Sequence, residues 1–183
     1  MPPASPVDPG PSRPDESDWT WVLTRPCPDC GFDPDDIGAD GVPAILRDAA
    51  GRFVAVLERA DVATRPAAGV WSPLEYACHV CDVCDVMRDR LEQIIDGDGR
   101  LVRFADWNQD EAAVAAAYWR AEPSDVGSRI VTRFEAAAQA YARPTGDQWS
   151  WPAERSNGSP FTAATLATYF VHDLSHHLWD VSA

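Results

Sequence analysis

The sequence predicts an all-α protein, a four-helix bundle with a disordered or extended N-terminal tail. Three observations predict it. Four long stretches carry apolar residues at helical spacing. Proline and polar caps stand where helices start. No alternation of strands with helices appears between them, and helix-on-helix packing is what such a pattern leaves. At 183 residues the chain is long enough to bury one core.

Residues 1–18 are rich in proline, serine and acidic side chains and lack apolar periodicity, as a disordered or loosely draped tail does. They hold neither a basic start nor an apolar run, so the expectation is a cytoplasmic protein without a secretory signal. The single helical domain is placed over 19–183, opening with Trp19-Thr-Trp-Val-Leu23 as an extended segment. Arg25-Pro-Cys27-Pro-Asp-Cys30-Gly follows. This pair can be a structural turn, a zinc knuckle matched by Cys78 and Cys81, or a redox motif.

Val42 to Val62 carries Ile45, Leu46, Ala49, Phe53, Val56 and Leu57 at helical spacing, the first long helix. Ser72 caps the second, with Pro73 in its first turn and Glu75 completing a capping box. This helix runs to about Ile95 and stops at Asp96-Gly-Asp-Gly99. A short helix is predicted within Asp106–Arg120, and another from Pro123 through Phe134 to Tyr141. Gly146 to Ser159 reads as loop, and the last helix starts at Ser159-Pro160.

Net charge is −14, and all fifteen basic residues are arginine. That balance argues against a nucleic-acid partner, and the absence of lysine removes Schiff-base chemistry. No run of eighteen apolar residues exists, so no membrane span is expected. Five cysteines without an export signal are read as free thiols or metal ligands rather than disulfides. An acidic bundle with eight tryptophans could also present a face to a second copy, as a homodimer.

The four histidines are confined to two helices. His172 and His176 lie one turn apart on one face, and His79 on a facing helix would complete a three-imidazole site with an open position. His177 points about 100° away and is expected to support a ligand, cap the helix or face solvent. Asp173 and Asp82 are candidates for holding a ligand imidazole by its other nitrogen. His172-Asp-Leu-Ser-His176 also invites comparison with zinc-peptidase helices, though aspartate stands where glutamate would be the base. Trp149, Trp151, Arg155 and Asn157 precede the last helix and could position a ligand. Cys78, Cys81 and Cys84 read as small core residues.

Trp71-Ser-Pro-Leu-Glu-Tyr-x-x-His79-x-x-Asp82 and His172-Asp-x-x-His176-His177-Leu-Trp-Asp180 resemble the DinB superfamily. The branch they look most similar to is the actinobacterial one that includes mycothiol-dependent maleylpyruvate isomerases. The resemblance implies a four-helix bundle holding one divalent metal (zinc, nickel or iron) through His79, His172 and His176. It also implies a small thiol such as mycothiol as co-substrate, with transferase or isomerase activity. A coordinated thiol is deprotonated, so the expectation is attack of a thiolate on a small electrophile. Arg155 and Asp173 are the catalytic candidates, and Trp149, Arg155 and Asn157 the binding ones. A hydrolase using metal-activated water, or a non-catalytic metal-binding protein, remains open beside it.

Overall fold

The structure is a computed structural model and describes residues 8–14 and 17–183. Residues 1–7 and 15–16 of the expected tail lie outside that range. Where described, the tail runs along the body: Arg13 N–H donates to the Gly69 carbonyl (2.9 Å), and the Ser12 hydroxyl to Asp110 (2.7 Å). Trp19–Leu23 is a 3-10 turn rather than an extended segment, because Asp18 accepts from Thr20 N–H and caps it.

Four long helices form the body: α1 (Val42–Leu57), α2 (Pro73–Asp96), α4 (Pro123–Tyr141) and α5 (Ala163–Asp180). A short α3 (Gln109–Ala115) joins α2 to α4. The α2 N-terminus is built as its sequence predicts. Ser72 and Glu75 form a reciprocal capping box, with Pro73 at the first turn, so two orphan N–H groups are paired locally and proline removes another. Arg65 reaches the same glutamate, Nε to Oε2 at 2.9 Å, and Glu75 is 2% exposed. Burial alone would raise that carboxyl; the bonds from Arg65 and Ser72 outweigh it and hold the pKa below the ordinary value.

α4 packs on both α1 and α2, and α5 packs on α1 and α2. Their facing residues make one core that includes Phe53 and Phe134, ring centroids 6.2 Å apart, and Tyr141 against Phe170 at 5.6 Å. Burying such side chains stabilises by about 1.5–3 kcal/mol each. Cys78, Cys81 and Cys84 sit in this core. Burial pushes the Cys81 thiol up to about 12 and raises Cys84 well above the ordinary thiol value.

The all-α expectation needs one correction. Three short strands form a sheet in the order β1 (Val102–Phe104), β2 (Pro152–Arg155), β3 (Pro160–Thr162). β1 and β2 are parallel, with Phe104 opposite Arg155; β2 and β3 are antiparallel, with Ala153 opposite Phe161. β3 occupies the first residues assigned to the last helix, so α5 starts at Ala163 with Thr162 as its cap. Gly97 lets β1 come close to the end of α2. A Cβ there would meet Val102 Cγ2 at 2.4 Å, nearer than packed carbons allow.

Candidate metal centre

The expected trio of histidines is divided between two groups. His79 gathers with Asp173 and His177, while His172 and His176 gather with Cys27 and Cys30. In each group all potential ligand atoms lie within 4.8 Å of one another. The physical reason is the rotation of α5. At about 100° per residue, the stripe of buried Leu166, Phe170, Leu174 and Leu178 points into the bundle. His177 and Asp173 then fall about 40° and 80° from the centre of that stripe, and His176 and His172 about 140° and 180°. The pair that meets His79 on α2 is therefore Asp173/His177. The sequence expectation for His177, to support a ligand, cap the helix or face solvent, does not include this place beside His79 and Asp173. The signal that could have found it is that Asp173 and His177 are also four apart.

His79 is fully buried, and neither ring nitrogen has a hydrogen-bond partner among the described residues. Burial, then the charge of nearby His177, lowers its pKa well below the ordinary value, so the ring is neutral. Trp107 stacks on it (5.6 Å, 11°), Trp71 lies at 5.1 Å, and His177 meets it edge-on at 4.7 Å. These rings fix its orientation. Asp173 Oδ1 stands 3.9 Å from His79 Nε2 and 3.7 Å from His177 Nε2. Bonds of 2.0–2.2 Å at tetrahedral angles imply ligand separations of about 3.4 Å, so the two carboxylate separations lie within about half an ångström of a cation's requirement, and the whole set within 4.8 Å.

His177 Nδ1 lies 2.8 Å from Asp180 Oδ2. A carboxylate accepts from the ring here, so Nδ1 carries a proton, and in the neutral form of the ring Nε2 is left to offer a lone pair on the side of Asp173. This carboxylate–imidazole arrangement is the one that orients metal ligands. Asp82 plays no such part. It accepts from the Tyr118 hydroxyl and from Arg133 (2.6 Å), away from His79.

Asp173 and His177 open onto a cavity of about 820 Å³, whose wall also includes Tyr76, Trp107, Tyr169, Arg155 and Asn157. Arg155 is set there by the sheet. The turn after β2 closes through Gly158 N–H to the Arg155 carbonyl (2.7 Å). The guanidinium donates to Asn157 Oδ1 (3.1 Å) and Ser159 Oγ (3.3 Å), over the Phe161 and Tyr169 rings. Trp149 is not part of the wall; in its 3-10 turn (Gly146–Ser150) it is half-buried against the core.

A buried imidazole without a partner costs roughly 1–3 kcal/mol, and a cation is the partner this donor set fits. Two neutral imidazoles and a carboxylate are hard-to-borderline ligands for a divalent transition ion. None of the curated proteins matches the chain. Among solved structures, YfiT from Bacillus subtilis has a similar fold: TM-score 0.65 over 94% of this chain and 93% of that one, at 14% identity. YfiT is described as a probable metal-dependent hydrolase with an unusual four-helix bundle topology. Residues 45–181, from α1 to the end of α5, match the sequence profile of the DinB superfamily, and the chain belongs to that family.

Proposed function

We propose that the chain is a metal-dependent hydrolase whose ion is held by His79, Asp173 and His177. The observation that carries this reading is the ligand set itself. Two histidines and one carboxylate beside an open cavity are the arrangement of hydrolytic zinc sites, which keep one position free. A divalent cation there supplies Lewis acidity and brings the pKa of water or a thiol toward neutrality.

The remaining steps belong to the chain. Asp180 keeps His177 in the tautomer that presents Nε2. Trp71 and Trp107 exclude water from the back of His79, so the cation would be approached from the cavity alone. Asp173 serves as a ligand in this reading rather than as a base. Arg155, nearly buried over aromatic rings, offers a guanidinium to a carboxylate or carbonyl of the substrate, and Asn157 holds that guanidinium. A buried guanidinium is a strong, planar anion partner.

A thiol-transfer reading keeps a place beside it because of the cavity. About 820 Å³ is near the upper end of small-ligand sites and would admit a cofactor-sized thiol such as mycothiol with its electrophile. The test is activity of the zinc-loaded protein on simple esters and amides, with and without a low-molecular-weight thiol, beside His79→Ala and His177→Ala. Thiol-independent turnover lost in both variants supports the hydrolase. Turnover only with thiol moves the assignment to the transferase, and equal rates in the variants reject the centre.

A further inference from the structure

Cys27 and Cys30 are not used by the centre above, yet they face the second histidine pair of α5. The turn Cys27-Pro-Asp-Cys30-Gly31 closes on itself: Gly31 N–H donates to the Cys27 carbonyl (3.0 Å), and Cys27 N–H to the Phe32 carbonyl (2.8 Å). Gly31 has φ +73° and nothing within 4 Å of where a Cβ would sit. Glycine is thus required by the backbone rather than by space. The turn delivers both sulfurs to one side.

On α5, His172 and His176 stand one turn apart with ring centroids 5.3 Å apart, on the face opposite the Leu166–Phe170–Leu174–Leu178 stripe, where both also border the cavity. His172 is 4% exposed, and its Nε2 is buried with no hydrogen-bond partner among the described residues. Cys27 Sγ lies 3.6 Å from His176 Nδ1. A zinc–sulfur bond near 2.3 Å and a zinc–nitrogen bond near 2.05 Å at a tetrahedral angle place those two atoms about 3.6 Å apart.

We propose that Cys27, Cys30, His172 and His176 form a second, closed zinc site. Four protein ligands leave no open position, which marks a structural site rather than a catalytic one. Two thiolates balance the charge of the ion, so the complex is neutral and suits its surroundings: Trp19, Trp21 and Phe32 lie 5.5, 6.5 and 5.2 Å from the His172 ring. Binding converts two thiols to thiolates and releases two protons, with no change in oxidation state. The site would pin the Trp19–Phe32 segment to α5. Ser12, Arg13, Asp18 and Trp19 also contribute to the cavity wall, so this zinc would hold one side of the proposed active site in place. It stands on its own ligands and does not depend on the hydrolase reading.

The test is cobalt substitution of the full chain, read as an absorption spectrum, with zinc analysis of variants. Wild type should show thiolate-to-cobalt charge transfer and bind two zinc ions per chain. Cys27→Ser should lose the charge-transfer band and one zinc, and His79→Ala should lose one zinc but keep the band. Cys78→Ser should change neither. A folded wild type without the band overturns the proposal, as does a Cys27→Ser variant that keeps both ions or a Cys27–Cys30 disulfide recovered from reducing buffer. If Cys27→Ser does not fold, the wild-type spectrum alone decides, because the centre at His79 contains no sulfur. A wild type that shows the band but binds one zinc, with no further loss in His79→Ala, would reject the first centre and leave this one standing.

Discussion

Asp180→Asn isolates the orientation of one ligand from its identity. The substitution keeps the size of the side chain and removes its charge. Asp180 Oδ2 lies 2.8 Å from His177 Nδ1, and the two side chains are 19% and 15% exposed, so solvent screens the contact little. A hydrogen bond to a charged group in such a place is worth about 1.5–3 kcal/mol. Part of that sum fixes the tautomer that turns Nε2 toward Asp173. Loss of such a partner weakens metal binding by about 10–100-fold, or roughly 1.4–2.8 kcal/mol. The assay is zinc competition against a chromophoric chelator, following the more weakly held ion, with exposed Asp48→Asn as the control for net charge. An Asp180→Asn affinity within about twofold of wild type would refute the argument. So would an equal loss in Asp48→Asn, which could only come from long-range charge.

Arg65→Ala leaves the Glu75 carboxylate buried without its cation, and breaking such a pair costs about 3–5 kcal/mol; the urea midpoint should fall, and Arg65→Ala with Glu75→Gln should recover part of it. Acid should destabilise the metal-free protein in a defined window. Burial first, then His176 and His177, holds the His172 pKa at about 4 against 6.5 in the unfolded chain. The unfolded state therefore binds more protons between those values. Stability should be full above about pH 6.5 and fall by up to about 3 kcal/mol as pH drops toward 4, with His79 adding to the loss; a flat urea midpoint across that window would contradict it. Below the ordinary carboxyl value of 4.5, protonation of Glu75 should remove a further contribution, since its folded pKa is depressed. Arg155→Ala should raise KM for an anionic substrate by roughly tenfold or more, as loss of a charged hydrogen bond does, while zinc content stays unchanged.

The helices were legible because their signals are local. Ser72, Pro73 and Glu75 announce the start of α2 within four residues, and apolar spacing marks α1, α4 and α5. The sheet was not legible. Its strands are three or four residues long, two of them begin with proline, and β1 pairs with a strand some fifty residues later. Such pairing is a tertiary event with little propensity behind it. The ligand residues were legible as types and not as sets. α5 carries two pairs four apart, 172/176 and 173/177, and spacing alone cannot say which one a facing helix meets. Weighing them against the Leu166–Phe170–Leu174 stripe would have turned the choice toward His177. Cys27 and Cys30 could be read as a knuckle, but their partners lie at the opposite end of the domain, where no sequence window reaches.

That separation has a consequence for how the chain is made. The Cys27–Phe32 turn leaves the ribosome early, and the helix it packs against is the last element of the domain to emerge. At 5–20 residues per second, the stretch from Cys30 to His172 takes roughly 7–30 seconds to synthesise. Throughout that interval two thiols wait beside Trp19 and Trp21 with no helix to cover them. The early segment can settle only once translation has delivered α5, so a prematurely terminated chain exposes unprotected cysteines and aromatic rings at its front end.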